Sequence, residues 1–293
     1  MKLKAMGKIN LALDVVRKRD DGYHEVRMIM QTVEIWDQLE MRETREAGIR
    51  LSTNLPFLPV NENNLVYRAA ALLMKEFHIS SGLELRLHKR IPVAAGMAGG
   101  SADAAAALVG VNRMFRLGLT RRELMQRALT LGADVPYCVM RGTALAEGIG
   151  EVLTPLPPMP QCHILIGKPA ASVSTKFVYG NLKAAEIQKH PDVDGMARAI
   201  EEGSLAGITE RMENVLESVT IPAYPVIQEI KEHMLKNGAE NALMSGSGPT
   251  VFGVFTDGDA AGEAFRKLKK SGLVRQIYLT RPFGNGGHRD GKR

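Results

Sequence analysis

The fold is decided by the stretch Pro92-Val-Ala-Ala-Gly-Met-Ala-Gly-Gly-Ser-Ala102. Alternating apolar and charged residues at 83–88 predict a strand before it, and the alanine-rich residues 103–115 predict a helix after it. Such a loop suits a phosphate, because small residues let the backbone approach an anion and the first N–H groups of the helix point at it. The alternative is a plain tight turn in which Ser101 caps the helix. We favour phosphate binding, because Gly96, Gly99 and Gly100 occur together.

Length and composition indicate an ordinary globular protein. The chain has 293 residues, of which 45% are hydrophobic and 24% charged, enough for two domains. We expect no membrane segment and no signal peptide, because no apolar run is long enough and the N-terminus lacks that pattern. The two cysteines, Cys138 and Cys162, form neither a CxxC pair nor a disulfide framework, which favours a reducing, cytoplasmic location.

The net charge of +6 favours an anionic substrate. The glycine-rich end from Arg281 holds four of the basic residues, so we predict a mobile tail there, not a nucleic-acid patch.

Several chemistries are excluded by missing motifs. The chain has no GxxxxGK[ST], no GxGxxG after a strand, no HExxH and no GxSxG. Its seven histidines are scattered, so we expect no metal held by protein side chains alone.

The first half of the chain predicts an antiparallel sheet. Alternation over residues 8–15 predicts a half-buried strand that places Lys8 and Asn10 on one polar face. An Asp-Gly hairpin turn follows, with Tyr23 and His24 directly after it, a pair that suits either a platform for a ring or a simple cover for the hairpin end. Further strands are predicted at 26–36, 39–43 and 48–53.

Helix signals are local and clear. Asn63 or Asn64 caps a helix that ends near residue 77, and Thr120 with Glu123 forms a capping box. Asp134 lies two residues before Pro136, and one interpretation is that it is only the N-cap of a helix with proline in its first turn. Four prolines within 153–160 predict a domain boundary. Beyond it we predict helices at 175–182, 195–200, 205–215 and 224–237, a second glycine loop at 244–250, and a strand–helix–strand end at 251–255, 260–270 and 274–279.

Taken together, these stretches resemble the GHMP kinase superfamily. The loop 92–102 is similar to its ATP loop, and Met244-Ser-Gly-Ser-Gly-Pro-Thr250 to the motif that packs beside that loop. Residues 5–11, 21–24 and 132–136 resemble one member, which acts on a cytidyl-diphosphate methylerythritol in the non-mevalonate route to isoprenoids. The resemblance implies an α+β, two-domain GHMP kinase fold with the active site in the cleft between domains, an N-terminal domain over 1–155, a C-terminal domain over 161–281 and a tail over 282–293.

The resemblance also implies the reaction and its residues. ATP, with the Mg²⁺ it carries, phosphorylates the 2-hydroxyl of the cytidyl-diphosphate methylerythritol. Asp134 matches the base and Lys8 the active-site lysine. The matched ATP-binding residues are Pro92, Val93, Ala94, Ala95, Gly96, Met97, Ala98, Gly99, Gly100, Ser101, Ala102, Asn64 and Lys89. The matched substrate contacts are Asn10, Tyr23, His24, Met30, Thr175 and Tyr179. We expect a small-molecule substrate, no nucleic-acid or membrane partner, and a monomer or weak homodimer.

One departure from the family pattern lies in the ATP loop. Ala94 and Ala98 stand where the family commonly has glycine, and Ala102 where it has glycine or a second serine, which questions how tightly the loop wraps ATP. Two other function classes remain. A GHMP kinase for mevalonate, homoserine or galactose would have no use for the turn at 21–24. A non-catalytic ATP-binding module would have no reason to retain both Lys8 and Asp134.

Overall fold

The computed structural model describes residues 1–284, and the chain divides into two compact units. The first unit comprises Met1–Gly7, Ile35–Val93 and Ala98–Met140, and the second comprises Lys8–Glu34, Ala94–Met97 and the chain from Arg141. Two long strands, β1 (Lys2–Lys18) and β2 (His24–Thr44), contribute residues to both units.

The first unit combines sheet strands with four helices. The C-terminal half of β2 pairs antiparallel with β4 (Gly82–His88), and β3 (Ile49–Thr53) pairs parallel with β4. The helices are α1 (Leu65–Glu76), α2 (Gly99–Met114), α3 (Arg121–Leu129) and α4 (Val135–Met140). The α2 helix packs against α1, α3 and α4, and its alanines are buried because small side chains allow close helix packing.

Local capping signals fix where these helices begin. The Asn64 side chain accepts a hydrogen bond from the backbone N–H of Val66 at 2.9 Å, so α1 begins directly after it. The capping box of Thr120 and Glu123 is formed at the start of α3 as predicted. Both signals act within one helical turn, which is why they could be read from the sequence.

The second unit contains two groups of strands. The N-terminal half of β2 pairs antiparallel with β5 (Thr143–Glu147), which pairs with β6 (Val152–Leu156), and β1 pairs parallel with β8 (Glu213–Asn214). A separate antiparallel sheet has the order β11 (Gln276–Thr280), β7 (His163–Lys168), β10 (Val251–Phe255) and β9 (Asn241–Met244).

Six helices and a short 3₁₀ turn, Ala184–Glu186, complete the second unit as described. Two of them cover the four-stranded sheet, α9 against β9 and β10 and α10 against β7 and β11. They are α5 (Thr175–Asn181), α6 (Val193–Glu201), α7 (Leu205–Glu210), α8 (Glu217–Ala223), α9 (Val226–Lys236) and α10 (Gly258–Lys270). No helix within residues 1–284 is both long enough and apolar enough to cross a membrane.

Three expectations about elements are corrected. The strands predicted at 26–36 and 39–43 are one strand, β2, because Asp37 between them is fully buried and accepts hydrogen bonds from the backbone N–H groups of Arg90 and Ile91. The helix predicted at 205–215 ends at Glu210, and β8 follows. Ser101 is not an N-cap, because α2 begins at Gly99.

The proline-rich segment and the tail are partly built into the sheets. Residues 152–156 form β6, and the domain boundary expected near 155–161 stays a prediction. At the start of the expected tail, the Phe283 N–H donates to the carbonyl of Thr32 at 2.8 Å, and the Gln31 amide donates to the Phe283 carbonyl at 3.1 Å. The rest of that tail, 285–293, lies outside the described residues.

Candidate active site

Lys8 and Asn10 form a buried polar pair on β1. Lys8 is only 5% exposed, and its Nζ donates a hydrogen bond of 2.7 Å to Oδ1 of Asn10. The Asn10 amide nitrogen lies 3.2 Å from Sδ of Met28, which fixes the orientation of the amide. Because the partner of the ammonium is neutral, its positive charge is not cancelled there. The strand alternation predicted that these two side chains share a face, and the structure confirms it.

The backbone of the predicted ATP loop alternates in handedness. The φ angles of Ala94, Gly96 and Ala98 are +49°, +71° and +53°, whereas Ala95 and Met97 between them lie outside the left-handed region. Alternating handedness turns successive N–H groups toward one side and makes a concave site for an anion. Helix α2 begins at the next residue, Gly99. The local geometry of the loop therefore suits a phosphate group.

Gly96 lies against the second glycine loop. A Cβ atom at position 96 would overlap the carbonyl oxygen of Ser245, and Oγ of Ser245 donates to the Gly96 carbonyl at 2.9 Å. The backbone N–H of Lys8 donates to the carbonyl of Met97 at 3.1 Å. Residues 94–97 of the ATP loop are thus held by the Ser245 side chain and by the backbone of Lys8. The expected packing of the two glycine loops is confirmed at Gly96.

Asn214 is a functional candidate that the sequence reasoning missed. Its amide nitrogen donates to the carbonyls of Met244 and Gly246, both at 2.8 Å, and the side chain is buried. It therefore holds the second glycine loop in shape. The sequence carries no signal for this role, since a single asparagine in a two-residue strand has no distinctive spacing.

The second unit contains three of the predicted substrate contacts that carry rings, Tyr23, His24 and Tyr179. Tyr23 is 59% exposed after the Asp-Gly turn, and its N–H donates to Oδ1 of Asp21 at 3.0 Å. The rings of His24 and Tyr179 lie 5.1 Å apart and are tilted by 43°. Burial, helped by the charge of Lys18, lowers the pKa of His24, so a neutral imidazole is favoured.

Two further predicted substrate contacts have different surroundings. Oγ1 of Thr175, at the start of α5, lies 2.9 Å from Oγ of Ser247 in the second glycine loop. Met30 is fully buried in β2, opposite Ala144 of β5, which sets it apart from the exposed Tyr23 and Thr175. A role for Met30 at the substrate stays a prediction.

Lys89 belongs to a buried ionic cluster in the first unit. Its Nζ contacts a carboxylate oxygen of Asp37 and lies 2.7 Å from Oδ2 of Asp103 on α2. Burial lowers the pKa of Lys89, but the charges of Asp103 and Asp37 raise it by more, so the ammonium is retained. The ammonium predicted to contact the nucleotide is therefore occupied by two carboxylates.

Asp134 precedes α4 in the first unit and is partly exposed. Its backbone carbonyl accepts from the N–H of Cys138 at 3.1 Å. Its carboxylate has no hydrogen-bond or ion-pair partner within the described part of its unit. This leaves the carboxylate available to a ligand, and the pairing of Asp134 with Lys8 stays a prediction. No cluster of three His, Cys, Asp or Glu side chains able to hold a metal occurs in residues 1–284.

Comparison with known proteins assigns the family. The model described as GHMP kinases N terminal domain matches residues 64–142, and the one described as GHMP kinases C terminal matches residues 196–273. Together they cover more than half of the chain. The chain belongs to the GHMP kinase family. Its expected α+β fold class and its kinase class are thereby confirmed, and ATP is the phosphoryl donor of the family.

Relatives of this GHMP kinase share most of its length. A 4-diphosphocytidyl-2-C-methyl-D-erythritol kinase of Lachnospira eligens is 56% identical over 97% of this chain and 98% of its own. The enzyme of the same name from Lachnoclostridium phytofermentans is 57% identical over 96% and 97%. The crystal structure of a 4-(cytidine 5'-diphospho)-2C-methyl-D-erythritol kinase superimposes with a TM-score of 0.84 at 30% identity, covering 97% of this chain and all of that one.

Proposed function

We propose that this GHMP kinase transfers the γ-phosphoryl group of ATP to the 2-hydroxyl of 4-diphosphocytidyl-2-C-methyl-D-erythritol, a step in the non-mevalonate route to isoprenoids. The observation that carries the proposal is the 56% identity, over nearly the full length, to a relative named for that substrate. The exposed Tyr23 and the neighbouring rings of His24 and Tyr179 support it, because a cytosine ring needs an aromatic face and a hydrogen-bonding edge.

Asp134 serves as the general base in this proposal. The acceptor is a tertiary alcohol that stays protonated at neutral pH, so its proton must leave as the new bond forms. The Asp134 carboxylate takes that proton while the hydroxyl oxygen attacks the γ-phosphorus. The bond from the γ-phosphorus to the β-phosphate bridging oxygen then breaks, and ADP leaves with the electron pair. Support comes from the partly exposed carboxylate, which is unpartnered within its described unit.

Lys8 serves as the electrostatic partner. Its buried ammonium is oriented by Asn10 and is not neutralised by that amide, so it can offset negative charge on the phosphoryl group in transfer. We propose that Asn10 acts chiefly by holding Lys8. Its side chain is fully buried and already bonded at both ends, which leaves it little capacity for a substrate hydroxyl.

Nucleotide binding in this proposal depends on the backbone geometry of the ATP loop. The alternating backbone over residues 94–98 takes the phosphates of ATP, and Ser101 in the first turn of α2 contacts the phosphates or the Mg²⁺ that ATP carries. Asn64 lies at the start of α1, where it borders the nucleotide in this proposal. Lys89 acts indirectly, because its ammonium anchors Asp103 of α2.

The test is an ADP-release assay of the purified protein and its Asp134→Asn variant. We expect turnover with the cytidyl-diphosphate substrate and little with mevalonate, homoserine or galactose. The variant should lose at least about 100-fold in kcat, the lower end of what a general base contributes, while ADP and CDP still bind. Asp259→Asn, an exposed change in α10, is the matched control and should turn over normally.

Two results would contradict the proposal. If Asp134→Asn kept more than about a tenth of the parent kcat, Asp134 would not be the base. If mevalonate, homoserine or galactose were the preferred acceptor, the assigned substrate would be wrong while the family assignment stood.

A further inference from the structure

The second glycine loop, residues 244–250, contacts elements from both halves of the proposed reaction. On the nucleotide side, Oγ of Ser245 donates to the Gly96 carbonyl at 2.9 Å. On the acceptor side, Oγ of Ser247 lies 2.9 Å from Oγ1 of Thr175, which begins the helix that carries Tyr179. All of these residues belong to the second unit. A path of two hydrogen bonds therefore connects the acceptor helix with the phosphate loop.

The loop between the two hydrogen bonds is held firmly. Ser245 and Ser247 are both buried, and the N–H of Gly248 donates to the carbonyl of Ser245 at 2.9 Å. Asn214 bonds the loop at two carbonyls. Such a loop behaves as one rigid segment, so a displacement of Ser247 also shifts Ser245.

The acceptor helix is held less firmly. Helix α5 has seven residues, and only Val178 among them is buried. A short helix with so little burial is only marginally stable, so it loosens readily and its ordering costs conformational entropy. A ring bound beside Tyr179 would fix α5 and, through Thr175, would fix Ser247. The ordering would then already be complete when the second ligand arrives, which raises its affinity.

We propose that the Ser247–Thr175 hydrogen bond couples acceptor binding to nucleotide binding, with Ser247 as a positioning residue that touches neither substrate. The coupling rests on the proposed function, since it needs a cytidine ring beside Tyr179. By linkage it acts equally in both directions, so nucleotide raises the affinity for CDP by the same factor that CDP raises the affinity for nucleotide.

The test measures binding by calorimetry in the full-length protein, with ADP and Mg²⁺ as one ligand and CDP as the other. In the parent protein, saturating CDP should tighten ADP binding by at least about fivefold, the lower end of typical coupling. Ser247→Ala and Thr175→Val each remove one hydroxyl, and in each the factor should fall to within about twofold of unity. The double variant should lose no more than either single variant, because one shared bond is removed.

Two variants separate the bond from general damage. Thr175→Ser keeps the hydroxyl and should keep the coupling. Ser218→Ala removes a hydroxyl bonded to the Val215 carbonyl, away from the path, and should also keep it. Full coupling in Ser247→Ala, or none in the parent protein while both ligands bind, would overturn the coupling alone. A protein that binds ADP but no CDP would overturn both the coupling and the proposed acceptor.

Discussion

Replacing Ala98 by glycine should stabilise the protein, although glycine usually weakens a folded structure. Ala98 has φ +53° and ψ +31° at the position just before α2. An L-residue with a Cβ atom is strained by about 1–2 kcal/mol in this left-handed region, and glycine is not. The substitution therefore removes strain from the phosphate loop without changing the course of its backbone.

The expected magnitude follows from two opposing terms. Glycine relieves about 1–2 kcal/mol of strain, but it gives the unfolded chain more freedom, which opposes folding by about 0.4–1 kcal/mol. The net gain in the free energy of unfolding is about 0.5–1 kcal/mol. Ala102→Gly is the matched control with the opposite sign, because Ala102 is buried inside α2. There, the helix preference of about 1 kcal/mol and a buried methyl of about 0.8 kcal/mol are both lost.

Urea denaturation followed by circular dichroism compares the three proteins. The urea midpoint of Ala98→Gly should lie above that of the parent and the midpoint of Ala102→Gly below it. The slopes of the free energy of unfolding against urea concentration should be equal. ADP affinity of Ala98→Gly should match that of the parent, since the left-handed backbone is retained. The reasoning is refuted if Ala98→Gly is destabilised as much as Ala102→Gly.

Two further perturbations address buried charge and pH. Lys89→Met leaves the carboxylates of Asp37 and Asp103 buried without their cation. The free energy of unfolding in urea should therefore fall by about 3–5 kcal/mol, and adding Asp103→Asn should restore part of it. A loss under about 1 kcal/mol would show that the cluster contributes little. Because the pKa of His24 is lowered from 6.5, its ring is neutral at pH 7. The CDP affinity, measured by calorimetry, should therefore stay constant from pH 8 to 6.5 and decline as the pH falls through the lowered pKa. His24→Gln should flatten that profile, whereas affinity that rises on acidification would mean that the charged imidazole is the binding form.

How much could be predicted from the sequence depended on the distance between partners. The cap at Asn64 and the box at Thr120 lie within a few residues of the groups they bond, and both were predicted correctly. The single strand β2 was predicted as two strands, 26–36 and 39–43, because the backbone partners of the intervening Asp37 lie more than fifty residues away, at Arg90 and Ile91. A partner at that distance leaves no mark on the local hydrophobic pattern.

The candidate site shows the same division. Alternation placed Lys8 and Asn10 on one face because both lie on a single strand. No pattern indicated that Asp103 and Asp37 would surround Lys89, or that Asn214 would hold the second glycine loop. The sequence left open how Ala94 and Ala98 affect the ATP loop, and the structure shows the backbone conformation at both positions. Both adopt the left-handed backbone for which glycine would be suited, and Ala102 does not.

Gly96 has a consequence for how this loop can evolve. Alanine already occupies the left-handed positions 94 and 98, so a small side chain is tolerated there at the cost of a modest strain. At position 96 the barrier is space, because the smallest added side chain would overlap the backbone of Ser245. No single substitution at 96 can be accommodated unless a segment almost 150 residues away shifts with it. The two glycine loops are therefore expected to change together during descent, and exchange between glycine and alanine should occur at 94 and 98 long before position 96 changes.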